Sequence, residues 1–407
     1  MTYTDFVHTR LGLRLNPDAP CVLVYSTQSS ARLHYTLGFV FQHVLGVSYK
    51  LETDEALFLA SKETLKLNYS ANPMANVFTL LPDGLLFAKG VVPGEASSVY
   101  REGDKRTGDT ASTGPWRFDV LAAAFYHVSR MEEWQTLVRD THARFDAGQS
   151  NLVKTGLHMR PFVDEWLNRF FKDLQGFYQL TPRSYKEFRV ISTIDLDNLY
   201  AFKHKGLLRT AGAFVRDVLK LDVKNVNQRR KVLLGKADDP FDIYLSIGQF
   251  CREQNIPLLY FFLYRTGTAY DRTVDPRSKA FDTVIGQVKQ TAADIGLHPS
   301  YYTFQDENLL SREVKAFSKR IGEQVLLSRQ HYLRFDISRS PTDLIQQGIR
   351  ADFSMGFASS PGFRAGTSFP FYHYDFNNET ALNLLLVPFC FMDGAYSVYS
   401  KRSAEEA

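Results

Sequence analysis

The sequence predicts an α/β protein in two parts: a smaller α/β domain over residues 1–182, then a barrel of alternating strands and helices over residues 183–407. Three observations carry that expectation. With 407 residues, 44 % of them hydrophobic, the chain is long enough for two domains with their own cores. From Val190 onward, short apolar or β-branched runs alternate with helical stripes, the pattern of parallel strands joined by helical crossovers. The ionisable residues of this half follow those runs, at what is one end of such a barrel.

In the front half, Cys21-Val22-Leu23-Val24-Tyr25 reads as a short buried strand. Residues 29–46 then place Leu33, Leu37, Val40, Phe41 and Val44 on one helical stripe. Short strands are predicted at 47–51, 56–60, 65–69, 77–80 and 85–88, with Pro82-Asp83-Gly84 as a turn. Residues 102–114, polar and rich in Gly and Thr, read as a loop. Over 118–144, Leu121, Phe125, Val128, Met131, Trp134 and Leu137 make one helical stripe, and Arg130 and Glu133 read as surface or structural ion pairs rather than a binding pair. Pro161 opens a further helix whose Leu167, Phe170, Phe171 and Leu174 face inward, and Thr181-Pro182-Arg183 marks the boundary.

In the back half, strands are predicted at 190–194, 257–263, 295–297, 325–327, 351–354 and 383–387. Helices are predicted at 207–219, 240–253, 278–293, 311–321 and 342–347. Residues 258–264 are almost wholly apolar, as a strand buried on both faces should be. The aromatic tail at 369–374 reads as core packing, with stacking on a sugar as the alternative.

The charge balance is close to neutral, +4 with a pI of about 8.7, and Lys and Arg are scattered, so no dedicated nucleic-acid surface is expected. The densest basic run, 224–236, reads as a solvated helix or loop face, with an anionic ligand as the alternative. Cys21, Cys251 and Cys390 stand far apart in apolar settings, which suits reduced core thiols in a cytoplasmic protein, and the absence of Cys-x-x-Cys excludes a zinc ribbon. No signal-peptide core and no apolar run long enough to span a bilayer is present.

The chemistry is concentrated in a few motifs. Asp195 and Asp197, in Thr193-Ile194-Asp195-Leu196-Asp197, end the first strand of the back half, and two carboxylates so close are costly to bury without a cation. His298 follows the third strand, in Gly296-Leu297-His298-Pro299-Ser300, and Arg329-Gln330-His331-Tyr332 follows the fourth. Gly362-Phe363-Arg364-Ala365-Gly366-Thr367 sets an arginine among glycines near the end. In this order and spacing the motifs resemble the polysaccharide deacetylase (NodB-homology) superfamily, and the preceding domain resembles that of bacterial two-domain members. The resemblance implies a distorted (β/α) barrel and metal-dependent removal of an acetyl group from an acetylated sugar or polysaccharide. It implies Asp195 as general base, Arg329 as the arginine that orients it, and Asp197 and His298 as ligands of a divalent metal, with zinc the expected ion.

The chain departs from the family pattern twice. Leu196 separates aspartates that are usually adjacent, and Tyr302, a poor zinc ligand, stands where a second histidine is usual. His331 is therefore the expected third ligand, since imidazole suits zinc and it follows a neighbouring strand, with His204 as second choice. Tyr302 and Arg364 are the candidate substrate-binding residues; a salt bridge to Asp352 or Asp375 is the structural alternative for Arg364. The rival reading from another class is a non-catalytic carbohydrate-binding or scaffold protein that has kept the barrel and lost the metal.

Overall fold

The computed structural model describes residues 2–92, 116 and 118–395, so the loop expected over 102–114 lies outside the described residues. Eleven strands form among them: β1 (Val22–Tyr25), β2 (Tyr49–Glu52), β3 (Leu65–Asn68), β4 (Phe78–Thr79), β5 (Ser192–Leu196), β6 (Leu258–Leu263), β7 (Asp294–His298), β8 (Leu327–Ser328), β9 (Ala351–Met355), β10 (Phe371–Asp375) and β11 (Thr380–Pro388). The chain divides into two compact units. One comprises Met1–Phe188, Leu333–Gln346 and Arg350–Ala407, the other Arg189–Tyr332 and Gln347–Ile349. Residues 333–346 and 350–407 thus group with the front of the chain.

In the first unit β1 pairs in parallel with β2 and β3, giving the order β2-β1-β3-β4. All four residues of β1 are buried, as an apolar central strand requires. Ser30 caps the following helix, Ala31–Leu37, by accepting from the Leu33 N–H, and the helix runs on as a wider π-type segment, Gly38–Leu45. Gly46 ends it at φ 72°, a conformation that costs glycine little. The strand expected at 56–60 is instead a helix, Glu55–Ala60, because Asp54 accepts from the Leu57 N–H and only Phe58 turns inward. Likewise 85–88 is a 3-10 turn, Leu85–Phe87, led by Gly84.

The long helix expected over 118–144 breaks into Val120–Val128 and Met131–Gln135. Arg130 sits between them at φ 54°, and its side chain is buried against Glu133 at 2.7 Å. The ion pair is structural, in the interior rather than on the surface. The aromatic tail proves to contain β10, antiparallel to β11, which in turn runs parallel to β9.

In the second unit β5, β6, β7 and β8 are parallel neighbours in that order, each step crossing through one or more helices. β5 begins two residues later than expected and ends at Leu196, next to the paired carboxylates. No closed sheet is found among the described residues, where β5 pairs with β6 alone. The arrangement is a mixed α/β fold with parallel strands, and among the described residues no sheet closes into the expected barrel. Gly296 in β7 is needed for packing, since a Cβ there would lie 2.5 Å from the Phe261 ring.

The expectation of three core thiols changes. Only Cys251 is a buried thiol; Cys21 is half-buried and Cys390 exposed. Among the described residues no helix is long and apolar enough to cross a membrane.

Candidate metal centre

The carboxyl ends of β5, β6, β7 and β8 lie side by side in that order, with Leu196 registered on Phe262, Leu263 on His298 and Leu297 on Ser328. Side chains two apart on a strand share a face, so Thr193 and Asp195 point the same way. Arg329 grips both: its Nη1 donates to Asp195 Oδ1 at 3.0 Å and its Nη2 to Thr193 Oγ1 at 2.8 Å. The guanidinium lies 4.8 Å from the centre of the Phe261 ring, the same ring that Gly296 makes room for.

Asp197 follows the strand and meets two histidines. Its Oδ1 lies 3.3 Å from His298 Nε2 and 3.7 Å from His331 Nε2. The three ligand atoms of Asp197, His298 and His331 all lie within 4.8 Å of one another. Both imidazoles are buried, while the Asp197 side chain is half exposed.

Hydrogen bonds on the far sides of the rings set what they present. His298 Nδ1 is 2.5 Å from the Arg329 carbonyl oxygen, which can only accept, so Nδ1 carries the proton and the neutral ring offers Nε2 as a lone pair. His331 Nδ1 lies 3.0 Å from Asp271 Oδ1, a carboxylate that does the same for the second ring. Asp271 is fully buried and is itself held by the Tyr301 N–H at 2.9 Å and the Thr268 hydroxyl at 2.8 Å.

Three lone pairs facing one point repel unless a proton or a cation lies among them. Electrostatics agree. Burial opposes the charged form of His331, yet its bonds to Asp197 and Asp271 outweigh that and raise its pKa to about 9. Burial likewise opposes ionisation of Asp197, and His298 and His331 outweigh it, holding the carboxyl far below the usual range. Two atoms bound to one tetrahedral zinc, each about 2.1 Å from it, stand about 3.4 Å apart. One carboxylate oxygen and two oriented imidazole nitrogens at the observed spacings therefore suit a divalent ion.

Residues 22–179 match a family model described as a family of unknown function (DUF7033). Curated proteins give no match. Among solved structures the chain is similar to a candidate polysaccharide deacetylase from Mycobacterium smegmatis, at 14 % identity and a TM-score of 0.29, over 49 % of this chain and 57 % of that one. It is also similar to IcaB from Ammonifex degensii, at 13 % identity and a TM-score of 0.23, over 41 % of this chain and 84 % of that one. This chain thus spans little more than half the length of the first of these.

The structure brings Asp197, His298 and His331 together and sets Asp195 on Arg329. His204 is not part of that group. Arg364 belongs to the first unit, is 2 % exposed, and gives its guanidinium to Glu133 at 2.6 and 2.8 Å. Glu133, shared with Arg130, is the salt-bridge partner in place of Asp352 or Asp375, and a buried guanidinium so engaged has no face for a substrate. His204 stands at φ 59°, packed edge-on against Tyr200. Tyr302 is 40 % exposed in a 3-10 turn, with its ring 5.3 Å from Tyr301 and 6.2 Å from Tyr270.

Sequence reasoning missed three contributors. Asp271 had one usable signal, an acidic residue in the loop after an apolar strand. Tyr270 and Tyr332 had none: their rings lie 5.5 Å apart, Tyr332 is 4.7 Å from the His331 ring, and both are over one-third exposed. With Tyr302 they make an aromatic rim beside the histidines.

Proposed function

We propose that this chain is a metal-dependent hydrolase that removes an acetyl group from an acetylated sugar or glycan precursor. The observation that carries the reading is the meeting of Asp197, His298 and His331 beside a carboxylate, Asp195, held by an arginine. Asp197, His298 and His331 would hold a divalent ion of the zinc type, which when bound lowers the pKa of water and polarises a carbonyl. Asp195 takes the proton released when water attacks the acetyl carbon, and it is positioned for this by Arg329, which donates to Asp195 through one nitrogen and to Thr193 through another. Asp271 fixes the ring of His331, and the exposed faces of Tyr270, Tyr302 and Tyr332 offer apolar surface to a sugar ring. The motif order in the sequence supports the same reading independently of this geometry.

Metal content and acetate release test it together. Protein purified without chelator should carry near-stoichiometric zinc or a similar ion, lost in Asp197→Ala and His298→Ala. Asp195→Asn should keep the metal and lose acetate release from the acetylated sugars that the wild type hydrolyses. Protein that binds metal in none of these forms sinks the proposal. Metal binding without acetate release from any acetylated sugar or amide moves the choice to the non-catalytic carbohydrate-binding reading.

A further inference from the structure

One helix of the second unit, Leu207–Leu219, carries Arg209, Gly212, Ala213 and Arg216 at positions i, i+3, i+4 and i+7. That spacing puts them on one face, and the two small residues leave a gap between the two guanidiniums. The gap is part of a cavity of about 400 Å³. Its other walls come from Asn198, Ala201 and Lys205 after β5, Arg229 on the helix Val223–Leu233, and Arg272 after β6. No lining residue is acidic.

Five cations therefore face one space, and the nearby carboxylates do not balance them. Asp217 is taken by Arg229 at 2.6 Å and Arg216 at 3.2 Å. Asp239 accepts from the backbone N–H groups of Ala201, Phe202 and Lys203 at 2.7 to 3.0 Å, which shapes the wall rather than neutralising it. Arg209 bonds the carbonyls of Arg272 and Thr273. Among the described residues, Lys205 and Arg272 have no carboxylate partner. Burial, then the charge of Arg209, hold the Lys205 ammonium below its usual range, with Asp239 acting in the opposite sense.

A solvated basic face does not need this construction. Arg229 is 4 % exposed and set 4.7 Å over the Phe202 ring, so its cation is built into the wall. Arginine forks suit phosphate oxygens, and seven helical residues separate Arg209 from Arg216 by about 10 Å, more than one phosphate spans. One lining residue, Asn198, directly follows Asp197 in the chain.

We propose that this cavity binds a phosphate or pyrophosphate ester, and that the acetylated molecule reaching Asp197, His298 and His331 carries it; the second clause rests on the function proposed above. The same helix and its neighbour expose apolar side chains, among them Leu207 (90 %), Leu208 (91 %) and Leu219 (78 %). The ester can thus belong to a lipid or to a soluble sugar, and the test has an arm for each.

Calorimetric titration of metal-free protein with inorganic pyrophosphate should give binding that Arg209→Ala/Arg216→Ala weakens roughly tenfold or more, while the variant as purified carries the same zinc as the wild type. Both residues are exposed, so circular dichroism should show the fold intact. Equal affinity in variant and wild type overturns the proposal, as does affinity no greater than for sulfate at the same ionic strength. Flotation with phosphatidylcholine vesicles containing phosphatidic acid, lost in Leu207→Ser/Leu208→Ser, identifies a lipid ester; pyrophosphate binding without flotation identifies a soluble one. Acetate release that favours a phosphorylated sugar over its unphosphorylated counterpart, and loses that preference in the arginine variant, supports the substrate clause, while equal rates overturn it. Failures separate cleanly: a protein that binds pyrophosphate but holds no metal keeps the anion site and loses the hydrolase.

Discussion

At the scale of single residues, Arg329 is the joint of the candidate site because its two ends do different work. The guanidinium holds Asp195 and Thr193, whereas the backbone carbonyl anchors His298. Substitution removes the first contact and leaves the second. On the proposed function, Arg329→Lys keeps one charge but loses the fork, so kcat for acetate release should fall by roughly a hundredfold while metal stoichiometry stays that of the wild type. Loss of metal together with activity would count against this division of labour. Asp271 predicts the converse. Its carboxylate sets the proton on His331 Nδ1, and Asp271→Asn should weaken metal affinity by roughly 10- to 100-fold, read by competition with a chelating dye.

At the scale of elements, the parallel strands and most crossover helices of the second unit were legible because their apolar runs are long and their periods distinct. The strand ends were legible too, and with them Asp197, His298 and His331. What sequence could not reveal depends on partners far along the chain. The helix over 118–144 breaks at Arg130 because Arg130 and Arg364 converge on Glu133, 231 residues from the latter, and no local pattern announces that. The basic cavity was hidden for the same reason: of the densest basic run only Arg229 lines it, and topology brings the other four cations. The Glu133 cluster carries its own prediction. Burial alone would raise the Glu133 pKa, but Arg364 and Arg130 lower it from 4.5 to about 2. A carboxyl whose folded pKa is depressed stabilises the fold above its unfolded value and loses that contribution as pH falls. Denaturant midpoints should therefore drop between about pH 4.5 and pH 2, and Glu133→Gln should cost roughly 3–5 kcal/mol at neutral pH by leaving two buried guanidiniums uncompensated. A midpoint insensitive to this substitution would show the cluster to be energetically idle.

At the scale of the whole molecule, compactness and chain order part company. Residues 333–346 and 350–407 belong with the front of the chain, so a fragment of residues 183–407 keeps β9, β10 and β11 but loses what they pack against. Tyr35 no longer donates to the Tyr372 carbonyl, Arg32 no longer pairs with Glu379, and Arg364 is left buried without Glu133. Such a fragment should aggregate or melt without cooperativity, whereas the full chain should show a sharp thermal transition by near-ultraviolet circular dichroism. A well-behaved 183–407 fragment would restore the two consecutive domains that the sequence suggests.

The Arg32–Glu379 bridge has a bearing on how the protein is born. Its ends are 347 positions apart, and the guanidinium is sealed from water with both carboxylate oxygens on it. At roughly 5–20 residues per second of translation, the arginine waits about 20–70 s for its partner to leave the ribosome. During that interval residues 189–332 of the second unit can already collapse before the first unit is complete, and nascent chains halted before residue 379 should remain protease-sensitive around Arg32.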